Sequence, residues 1–599
     1  MPTPSPIRRP TRLALLCLSL AFAAQASAAT IDIRSHGAVP DDATDDAAAI
    51  RRAIAAATAG DAVTIPAGRF LVSGAIGIPA GIRFLGAGQA ASRLVWTGGG
   101  GDFLTIQGNA VEIAALTLDG AGRAVNTGIF AYSSRGHSIH HVTIQDIAGD
   151  GGLGIRFTGD APSAANGVTD STIADCTIRN IALASEWGGG IRMSWGSSRN
   201  RVLRNIVDGT GRGGIFGNDD STDLVVIGNT VTRSGLASTR LGIELWGRCH
   251  RGLIEDNRID HWLSLDSSDF SALRRNTVAD PTGWGFLGLE VIAQDVVVVD
   301  NLVDGGQDIG ISISNHAANK HMFFGSNTVR GMRAFGAQMY AEGDGISRLY
   351  FYKNRILDTQ VTAMYTGRGF LFNSGGAKTT SVVFEANEFS GNRDHGIDWL
   401  GDADQVTAFG NRITNNTAVG VTGYPGVDLD WHDNVVSGNG DNGQPTPRGY
   451  ANRAPVASFT CPATATVGQT ITCTGMSTDT DGSISHVLWD LGAGIARIET
   501  SPAIAYQAAG TYRITLIAWD DRGRAARAER SIVVGSAPPP TPTPTPESPK
   551  APSEDPDSAT DVAADTGSPS TGCGLGAGLV ALIALACARG GNRRASADQ

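Results

Sequence analysis

The chain has 599 residues, which is too long for one ordinary domain, and carries a net charge of −11. It contains 78 glycines, and aromatic residues make up only 6% of it, which favours a β-rich fold with many tight turns over a helical bundle. Because basic residues cluster only in short runs near the two ends, the composition excludes nucleic acid as an expected partner.

Residues 1–28 have the pattern of a secretory signal peptide. Arg8 and Arg9 precede the apolar run Leu13–Ala24, and the small residues at 26–28 fit a cleavage site. We therefore expect the mature chain to fold outside the cytoplasm, where disulfides persist.

The stretch that follows the signal can close one end of a repetitive β fold. Asp45 or Asp46 can cap a short helix over Ala47–Ala57. The alanine and isoleucine face of that helix can cover the backbone edge that the first coil of such a fold would leave open.

Three motifs in this region carry a family resemblance. They are HGA at 36–38, TDD at 44–46 and IPAGRF at 65–70. Together they resemble the N-terminal signature of the pectate-lyase-like superfamily, which includes rhamnogalacturonases, exo-polygalacturonases, certain glucanases and phage tailspikes. The resemblance implies a right-handed parallel β-helix and extracellular carbohydrate chemistry, but it does not specify the reaction.

Residues 29–450 contain an internal repeat of about 25 residues. Each repeat has an asparagine before a branched or apolar residue, and a Gly-Ile phrase runs in phase with it. Two short strands per repeat, without helical periodicity, predict an all-β parallel β-helix whose coils stack about 4.8 Å apart. Asparagines stacked in a column can satisfy the backbone of a buried turn one coil away. The column comprises Asn205, Asn229, Asn257, Asn276, Asn301, Asn327, Asn354, Asn387, Asn411 and Asn434, with Cys176 in the equivalent position one coil earlier.

The strands that start with Gly-Ile predict a polar ladder on one outer face. Side chains alternate along a strand, so every second residue after the isoleucine points outward. On successive strands, the residues at the first outward position are Arg192, Phe216, Glu244, Ser264, Gly288, Ser312 and Gln338. The second includes Trp246, Asp266, Glu290 and Tyr340, and the third includes Asp220, Arg248 and His316. A slip of one residue at Glu290 would turn its side chain inward.

We predict that four carboxylates of this face, Glu244, Asp266, Glu290 and Asp220, are catalytic. Like charges at coil spacing repel each other unless one group stays protonated or a cation binds. Hydrolysis of a glycosidic bond needs two carboxyl groups, one of them held protonated as a general acid. Carboxyl groups on neighbouring coils would have the spacing found in a retaining enzyme. Carboxyl groups on alternate coils would have the spacing found in an inverting enzyme.

The same face offers residues that could bind a sugar chain. Trp246 and Tyr340 can stack on sugar rings, and Arg192 or Arg248 can pair with a uronate carboxylate. His316 is predicted to lie close by, at the end of its strand. The expected partner is therefore a polysaccharide, bound by a monomer.

Two alternatives to a hydrolase remain open. A polysaccharide lyase would remove the proton beside a uronate carboxylate, with Ca²⁺ held by Asp220 and Asp266 and with Arg248 as the base. A non-catalytic surface β-helix would only bind glycans or adhere to them. The hydrolase needs no cofactor. The Gly-His-Gly and Arg-Ile-Lys motifs of polygalacturonases are absent from the sequence, so no catalytic residue is carried over from that family.

Residues 454–535 are predicted to form a separate β-sandwich of immunoglobulin size. The run WDLGAG at 489–494 and the run GTY at 510–512 resemble the polycystic-kidney-disease (PKD) domain, although the second Asp of its hallmark run is missing. Such domains are usually spacers or weak glycan binders. Cys461 and Cys473 lie on successive predicted strands, so we expect a disulfide between them.

The C-terminal part has no predicted core. Residues 536–571 are rich in Pro, Thr and Ser and predict a stiff, disordered linker. Residues 572–599 combine Gly-Cys-Gly, a short apolar run and a basic tail, which resembles bacterial C-terminal surface-sorting signals. The apolar run is short against the roughly 20 residues that span a bilayer comfortably. A sorting signal or a plain anchor would both place the protein at the bacterial cell envelope.

Overall fold

A computed structural model describes residues 28–536, except 238–240, 281–284, 315–318, 402, 424–427 and 449. The described residues belong to one compact unit. Most of the predicted signal peptide, nearly all of the linker and the whole C-terminal segment lie outside them. In the part of the chain that is described, no helix is long and apolar enough to cross a membrane.

The chain winds into the predicted right-handed parallel β-helix. Most coils contribute three strands rather than the expected two, one to each of three parallel sheets that we number 1 to 3. Many strands of sheets 2 and 3 have only two or three residues, and a tight corner separates them. Such short strands show little alternation of apolar and polar residues. In the sequence, the sheet 2 strand and the sheet 3 strand of one coil therefore look like a single strand.

Sheet 1 comprises Ile76–Pro79, Asp102–Gln107, Thr127–Tyr132, Leu153–Thr158, Gly189–Met193, Gly213–Asn218, Leu241–Trp246, Leu263–Asp266, Leu287–Ile292, Ile309–Ser314, Phe335–Ala341, Arg368–Ser374, Ile397–Trp399 and Val421–Thr422. Sheet 2 comprises Thr30–Asp32, Ala62–Ile65, Arg83–Gly86, Thr172–Ala174, Arg201–Leu203, Val225–Ile227, Leu253–Glu255, Ala272–Arg274, Val296–Val299, Asn319–Gly325, Ile346–Tyr352, Thr379–Glu385, Ala403–Phe409 and Leu429–His432. Sheet 3 comprises Gly68–Val72, Ser92–Trp96, Thr177–Ile181, Ile206–Thr210, Thr230–Thr232, Arg258–Ile259, Thr277–Val278, Leu302–Asp304, Thr328–Arg330, Arg355–Leu357, Glu388–Ser390, Arg412–Thr414 and Val435–Ser437. The long strands Glu112–Ala124 and Ser138–Ala148 run through both sheets 2 and 3.

The Gly-Ile phrase has a packing origin. Isoleucines such as Ile215 and Ile243 point into the coil and are fully buried. The preceding glycine lies against sheet 3, where a Cβ on Gly214 would lie 2.4 Å from Val231 Cγ1 and 2.7 Å from the Gly242 carbonyl oxygen. Any larger residue would therefore push two layers of the core apart.

The asparagine column forms the corner between sheets 2 and 3, as predicted. Each corner has a residue with positive φ, such as Arg204 at 53°, followed by the asparagine. Asn229 Oδ1 accepts hydrogen bonds of 2.9 and 3.0 Å from the backbone nitrogen and the amide of Asn205. The same pattern repeats to Asn434, and Cys176, which is buried, takes the predicted position at the start of the column.

A second polar ladder was not predicted. Asn392 Oδ1 accepts from the backbone nitrogen of Thr359, and Asn416 and Asn439 continue the ladder over the next two coils. It covers only the last coils, so its spacing gives too few repeats to stand out in the sequence.

The helix Ala47–Ala55 covers the N-terminal end of the coil, two residues shorter than predicted, and buries Ile50 and Ile54. Asp45 Oδ1 accepts from the backbone nitrogen of Ala47, whereas Asp46 bonds to backbone nitrogens outside the helix. Two short 3₁₀ helices, Ile33–His36 and Pro162–Ala164, complete the helical content of the described residues.

The C-terminal sandwich contains the strands Phe459–Thr460, Thr464–Thr466, Thr470–Thr472, Thr474–Gly475, Ile484–Asp490, Ala503–Ala505, Gly510–Asp520 and Ala525–Gly535. Cys461 and Cys473 form a disulfide across its edge. Trp489 is fully buried in its core and donates a hydrogen bond to the Glu499 carbonyl oxygen.

The sandwich is packed against sheet 2 instead of acting as a detached spacer. Leu488 and Trp519 share an apolar cluster with Phe323 and Tyr350 of sheet 2. Beside this cluster, Arg274 of sheet 2 forms a 2.7 Å ion pair with Asp490, and both side chains are at most 3% exposed. The outer face of sheet 1 lies on another side of the coil.

Candidate active site

The outer face of sheet 1 carries a continuous column of polar and aromatic side chains. Strand pairing places one residue per coil in this column, which we call column 1. Its members are Arg156, Arg192, Phe216, Glu244, Ser264 and Glu290. Positive charge therefore lies at one end of the column and negative charge at the other, with Phe216 between them.

The structure corrects the predicted register at Glu290. Glu290 pairs with Ser264 in column 1, the position expected for Gly288. A Cβ on Gly288 would lie 2.5 Å from both the Gly310 carbonyl oxygen and Val303 Cγ1, so this glycine belongs to the packed glycine column. The phrase Gly-Leu-Glu at 288–290 is thus equivalent to Gly-Ile-Glu at 242–244.

The neighbouring outward column contains Asn218, Trp246 and Asp266, one on each of three successive coils. The position expected for Glu290 in this column is taken by Ile292, which is buried. Asp266 therefore lies one coil from Glu244 and one coil from Glu290, displaced from both by two residues along the strand.

A cavity of about 200 Å³ opens beside Glu244. It is lined by Trp187, Arg192, Arg212, Phe216, Asn218, Glu244 and Trp246. Trp187 and Trp246 are 62% and 44% exposed, so they form the rim of the cavity, whereas Phe216 lies buried at its base. Large aromatic surfaces that face solvent beside a carboxyl group are suited to stacking on sugar rings.

The Glu244 carboxyl group is held in a strongly perturbed environment. Burial raises its pKa to about 7, the negative charges of Glu290 and Asp266 add to the increase, and the cation of Arg212 opposes it. Its Oε2 atom is buried and has no hydrogen-bond partner among the described residues. The group can therefore stay protonated near neutral pH.

Two arginines, Arg192 and Arg212, line the cavity, and Arg156 lies one coil beyond Arg192. The Nε atoms of Arg156 and Arg192 are buried and lack a hydrogen-bond partner within the described parts of the chain. Burial lowers the pKa of Arg192, and the nearby Arg156 cation lowers it further. The Arg212 guanidinium lies 5.6 Å from the ring centre of Trp187. The guanidinium groups of Arg192 and Arg212 at the cavity wall are suited to an anionic group.

The other two carboxylates are fixed by neighbouring donors. Glu290 Oε2 accepts hydrogen bonds from Trp262 Nε1 at 3.1 Å and from Ser264 Oγ at 2.7 Å. Asp266 Oδ1 accepts one from Ser267 Oγ at 2.8 Å.

Their spacing follows from the coil geometry. Glu244 and Glu290 are separated by one intervening strand, so their backbones are roughly 9.6 Å apart. Asp266 lies diagonally at roughly 8 Å from either of them by the same geometry. Side chains that extend in parallel from the sheet keep roughly these backbone separations at their carboxyl groups. Both values are close to the separation of about 6.5–9.5 Å that leaves room for a water molecule between two catalytic carboxyl groups.

The structure does not bring Asp220 and Arg248 into this cavity. Both oxygens of Asp220 accept 2.7 Å hydrogen bonds from Arg248. The pair lines a separate, larger cavity of about 860 Å³, which is built by the turns next to sheet 1. Asp220 is followed by a turn rather than a strand, so the predicted third outward position does not continue the sheet.

Tyr340 and His316 are likewise not placed beside Glu244. Tyr340 follows the column of Asp266 but lies three strands further on, at roughly 14 Å from it along the coil axis. A hydrogen bond to Glu342 raises its pKa. His316 lies outside the described residues.

Comparison with known protein families identifies the family to which this fold belongs. Residues 102–261 and 288–444, together more than half of the chain, match the family of the right-handed beta helix region. The chain belongs to the right-handed β-helix family. Within this β-helix protein, residues 30–116 match the family "Rhamnogalacturonase A/epimerase, pectate lyase-like", and residues 452–534 match the PKD domain.

Individual relatives of the β-helix protein cover it only in part. A microbial collagenase of Vibrio alginolyticus is 36% identical over 87 residues, which are 14% of this chain and 11% of the collagenase. The chain thus spans about a tenth of the length of this curated relative. The PKD1 domain of the Vibrio cholerae metalloprotease PrtV is 35% identical, covers 14% of this chain and 98% of that structure, and has a TM-score of 0.13. The A-module of the mannuronan C-5 epimerase AlgE4 of Azotobacter vinelandii is 15% identical, covers 68% of this chain and all of that structure, and has a TM-score of 0.35.

Sequence analysis of the β-helix protein missed Trp187, Arg212, Trp262 and Arg156. Arg212 and Trp262 directly precede strands of sheet 1, and Trp187 lies two residues before one, whereas the register used for prediction counted only residues after the Gly-Ile phrase. Arg156 does follow such a phrase, Gly154-Ile155, one coil before the first strand that was aligned. Extending the alignment by one coil would have found it.

Proposed function

We propose that the protein is an extracellular polysaccharide hydrolase in which Glu244 is the general acid. The observation that carries this proposal is the Glu244 carboxyl group itself, which has a pKa of about 7 and a buried, partnerless Oε2 among the described residues. It borders an aromatic cavity on an exposed sheet, where a polymer can bind along the coil axis. A structural role would not need a protonated acid at such a place.

The hydrolysis would proceed in one displacement. Glu244 donates its proton to the glycosidic oxygen as the bond from that oxygen to the anomeric carbon breaks. A water molecule attacks the same carbon from the opposite face and gives its proton to Asp266 or Glu290. The spacing on alternate or diagonal coils supports inversion, because a retaining enzyme needs its carboxyl groups about 5 Å apart.

The arginines indicate the substrate class. Arg192 and Arg212 both line the cavity beside Glu244, and Arg192 lies one coil from Phe216. A uronate carboxylate or another anionic sugar substituent could accept hydrogen bonds from these guanidinium groups while the aromatic rings contact the sugar faces. We therefore propose an acidic polysaccharide that binds with its anionic group towards Arg192.

Several features support an extracellular location. The disulfide between Cys461 and Cys473 requires an oxidising compartment to persist. The N-terminal sequence fits a secretory signal, and the C-terminal segment fits a surface anchor or a sorting signal.

The arrangement favours hydrolysis over the lyase alternative. Arg248, the proposed base of a lyase, is bound to both oxygens of Asp220, and neither residue lines the Glu244 cavity. This pairing also occupies a carboxylate that a Ca²⁺ site would need.

The test is to incubate the secreted protein with uronate-containing and neutral polysaccharides, with and without a chelator. New reducing ends without ultraviolet absorbance of unsaturated products would support hydrolysis. Unsaturated products that disappear on chelation would establish the lyase instead. Binding to a polymer without any product would contradict catalysis and favour a surface adhesin.

A further inference from the structure

Three metal-binding side chains meet where the PKD domain contacts the β-helix. Asp295 and His321 come from the β-helix, and His486 comes from the PKD strand Ile484–Asp490. Asp295 and His321 have φ angles of 55° and 54°, which place them at bends of their coils. The strand register shifts between Ile484 and His486, so His486 lies at an irregularity of its strand.

The donor atoms of these residues converge on one small volume. His486 Nε2 lies 2.7 Å and His321 Nδ1 lies 3.4 Å from Asp295 Oδ1. All three donor atoms are within 4.8 Å of one another. A tetrahedral ion with bonds of about 2.0–2.2 Å holds its ligands about 3.4 Å apart, so the 2.7 Å contact between His486 and Asp295 must widen by about 0.7 Å to admit it.

The contacts between these atoms do not satisfy them as hydrogen bonds. Asp295 is 5% exposed, and its Oδ1 atom is buried without a hydrogen bond of acceptable angle in the described chain. The same is true of His486 Nε2, although it is only 2.7 Å from that oxygen. The rings of His321 and His486 stack at 3.6 Å and lie 13° from parallel, so one ring must tilt before both nitrogens can face the same ion.

We propose that Asp295, His321 and His486 bind one divalent transition-metal ion of the zinc class. Two imidazole nitrogens and one carboxylate oxygen are typical of zinc, and a water molecule would complete the tetrahedron. Calcium is a poor fit, since it takes about 6–8 oxygen ligands. Such an ion would link the two domains, because each domain supplies part of its coordination.

Some groups around the three side chains favour the binding of a cation, and one group opposes it. The buried Asp295 carboxylate supplies a negative charge, and Trp519 packs edge-on against the His321 ring and limits its movement. Burial is the main cause that lowers the pKa of His321; the nearby Arg348 cation lowers it further, and its charge opposes a metal ion. The three ligands must therefore supply most of the affinity.

The experiment uses the full secreted chain, stripped with a chelator and titrated with Co²⁺ as a spectroscopic probe for zinc. We expect one equivalent to bind with micromolar affinity and to give the visible absorption of a tetrahedral site. Zn²⁺ should displace it and raise the melting temperature. His486→Ala should weaken binding at least tenfold and abolish the shift in melting temperature. His432→Ala is the matched control, because His432 also lies beside a carboxylate, at 2.9 Å from Asp433, but is half exposed.

Two results would overturn the proposal. One is the absence of Co²⁺ binding below millimolar concentrations. The other is binding that His486→Ala leaves unchanged, which would assign the ion to another place. If His486→Ala does not fold, His321→Gln tests the same ligand set from the β-helix side, and unchanged binding in that variant has the same consequence.

Discussion

Glu244 and Glu290 occupy the same outward column of sheet 1, two coils apart, with Ser264 between them. Ser264 donates to Glu290 and not to Glu244, so the two carboxyl groups have different partners although they share a column. Burial and the negative charge of Glu290 both raise the pKa of Glu244. Two chemically identical side chains can thus act as the acid and the base of one reaction.

Glu244→Gln should abolish most of the activity. The amide keeps the size of the side chain but cannot donate the required proton, and general acid catalysis contributes roughly 10²- to 10⁴-fold. The measurement is kcat on the polysaccharide that the wild-type protein degrades. Asp220→Asn is the control, because Asp220 lies in the other cavity and its loss should change kcat less than threefold. An equal loss of kcat in both variants would show that the active site does not lie at Glu244.

The pH profile of kcat/KM should fall on the alkaline side as pH rises through about 7. The acid form of Glu244 is the active one, and it is lost as pH rises through the pKa of this group. The measurement is the initial rate between pH 4 and pH 9 at constant ionic strength. A profile that stays flat to pH 9 would show that another group donates the proton.

The stability of Glu244→Gln should exceed that of the wild type only at neutral and alkaline pH. The folded pKa is about 7 and the ordinary value is 4.5, so the folded state binds the proton more tightly than the unfolded state. Wild-type stability must therefore decrease as pH rises from about 4.5 to 7, by about 3 kcal/mol at most. Thermal melts of both proteins at pH 4 and pH 8 should show a difference in melting temperature only at pH 8.

Arg192→Ala should raise KM for an acidic polysaccharide about tenfold and change kcat only slightly. The guanidinium is proposed to bind an anionic group outside the reacting bond, and such binding affects substrate and transition state alike. The control is Arg199→Ala, because Arg199 is exposed and paired with Asp170. An unchanged KM, or equal effects on a neutral polymer, would exclude the proposed recognition.

The overall architecture was predictable because a weak sequence pattern becomes informative when it recurs in every repeat. One Asn-x-apolar phrase means little, but ten of them in phase define a corner of the coil. The register at Glu290 was not predictable, because the phrase at 288–290 has leucine in place of isoleucine and the four residues before 285 break the pattern. The residues contributed by turns, Trp187 and Arg212, follow no period at all. The docking of the PKD domain depends on single long-range contacts, such as that between Arg274 and Asp490, which leave no pattern in one sequence.

Arg274→Ala should destabilise the protein strongly. Removal of the arginine leaves the Asp490 carboxylate buried without its counter-ion, which typically costs about 3–5 kcal/mol. The adjacent Arg275→Ala is the matched control: its ion pairs are partly exposed and should contribute at most about 1 kcal/mol. Calorimetry should show a clear decrease in melting temperature for the first variant, and similar values for both would contradict the importance of the buried pair.

Asn301→Ala should cost more than the same change at the end of the column. Asn301 bonds to the Leu273 carbonyl oxygen and accepts from the backbone nitrogen of Asn276, and each buried group left unpaired costs about 1–3 kcal/mol. Asn434 is less buried, and no later asparagine of the column follows it to accept from its backbone nitrogen and amide. The denaturation midpoint should be highest for the wild type, lower for Asn434→Ala and lowest for Asn301→Ala. The reverse order would show that the column is not a stabilising network.

The lateral attachment of the PKD domain determines how the protein would respond to tension. A force applied to the chain beyond Gly535 enters the molecule through the last PKD strand, not through the last coil. Pulling on the last coil would break its hydrogen bonds a few at a time, so the coils would peel off in sequence. The PKD domain instead contacts sheet 2 over many coils, from Arg274 to Asp430. These contacts are loaded together in shear, so a protein held by its C-terminal part could be pulled without unwinding the coils that carry Glu244.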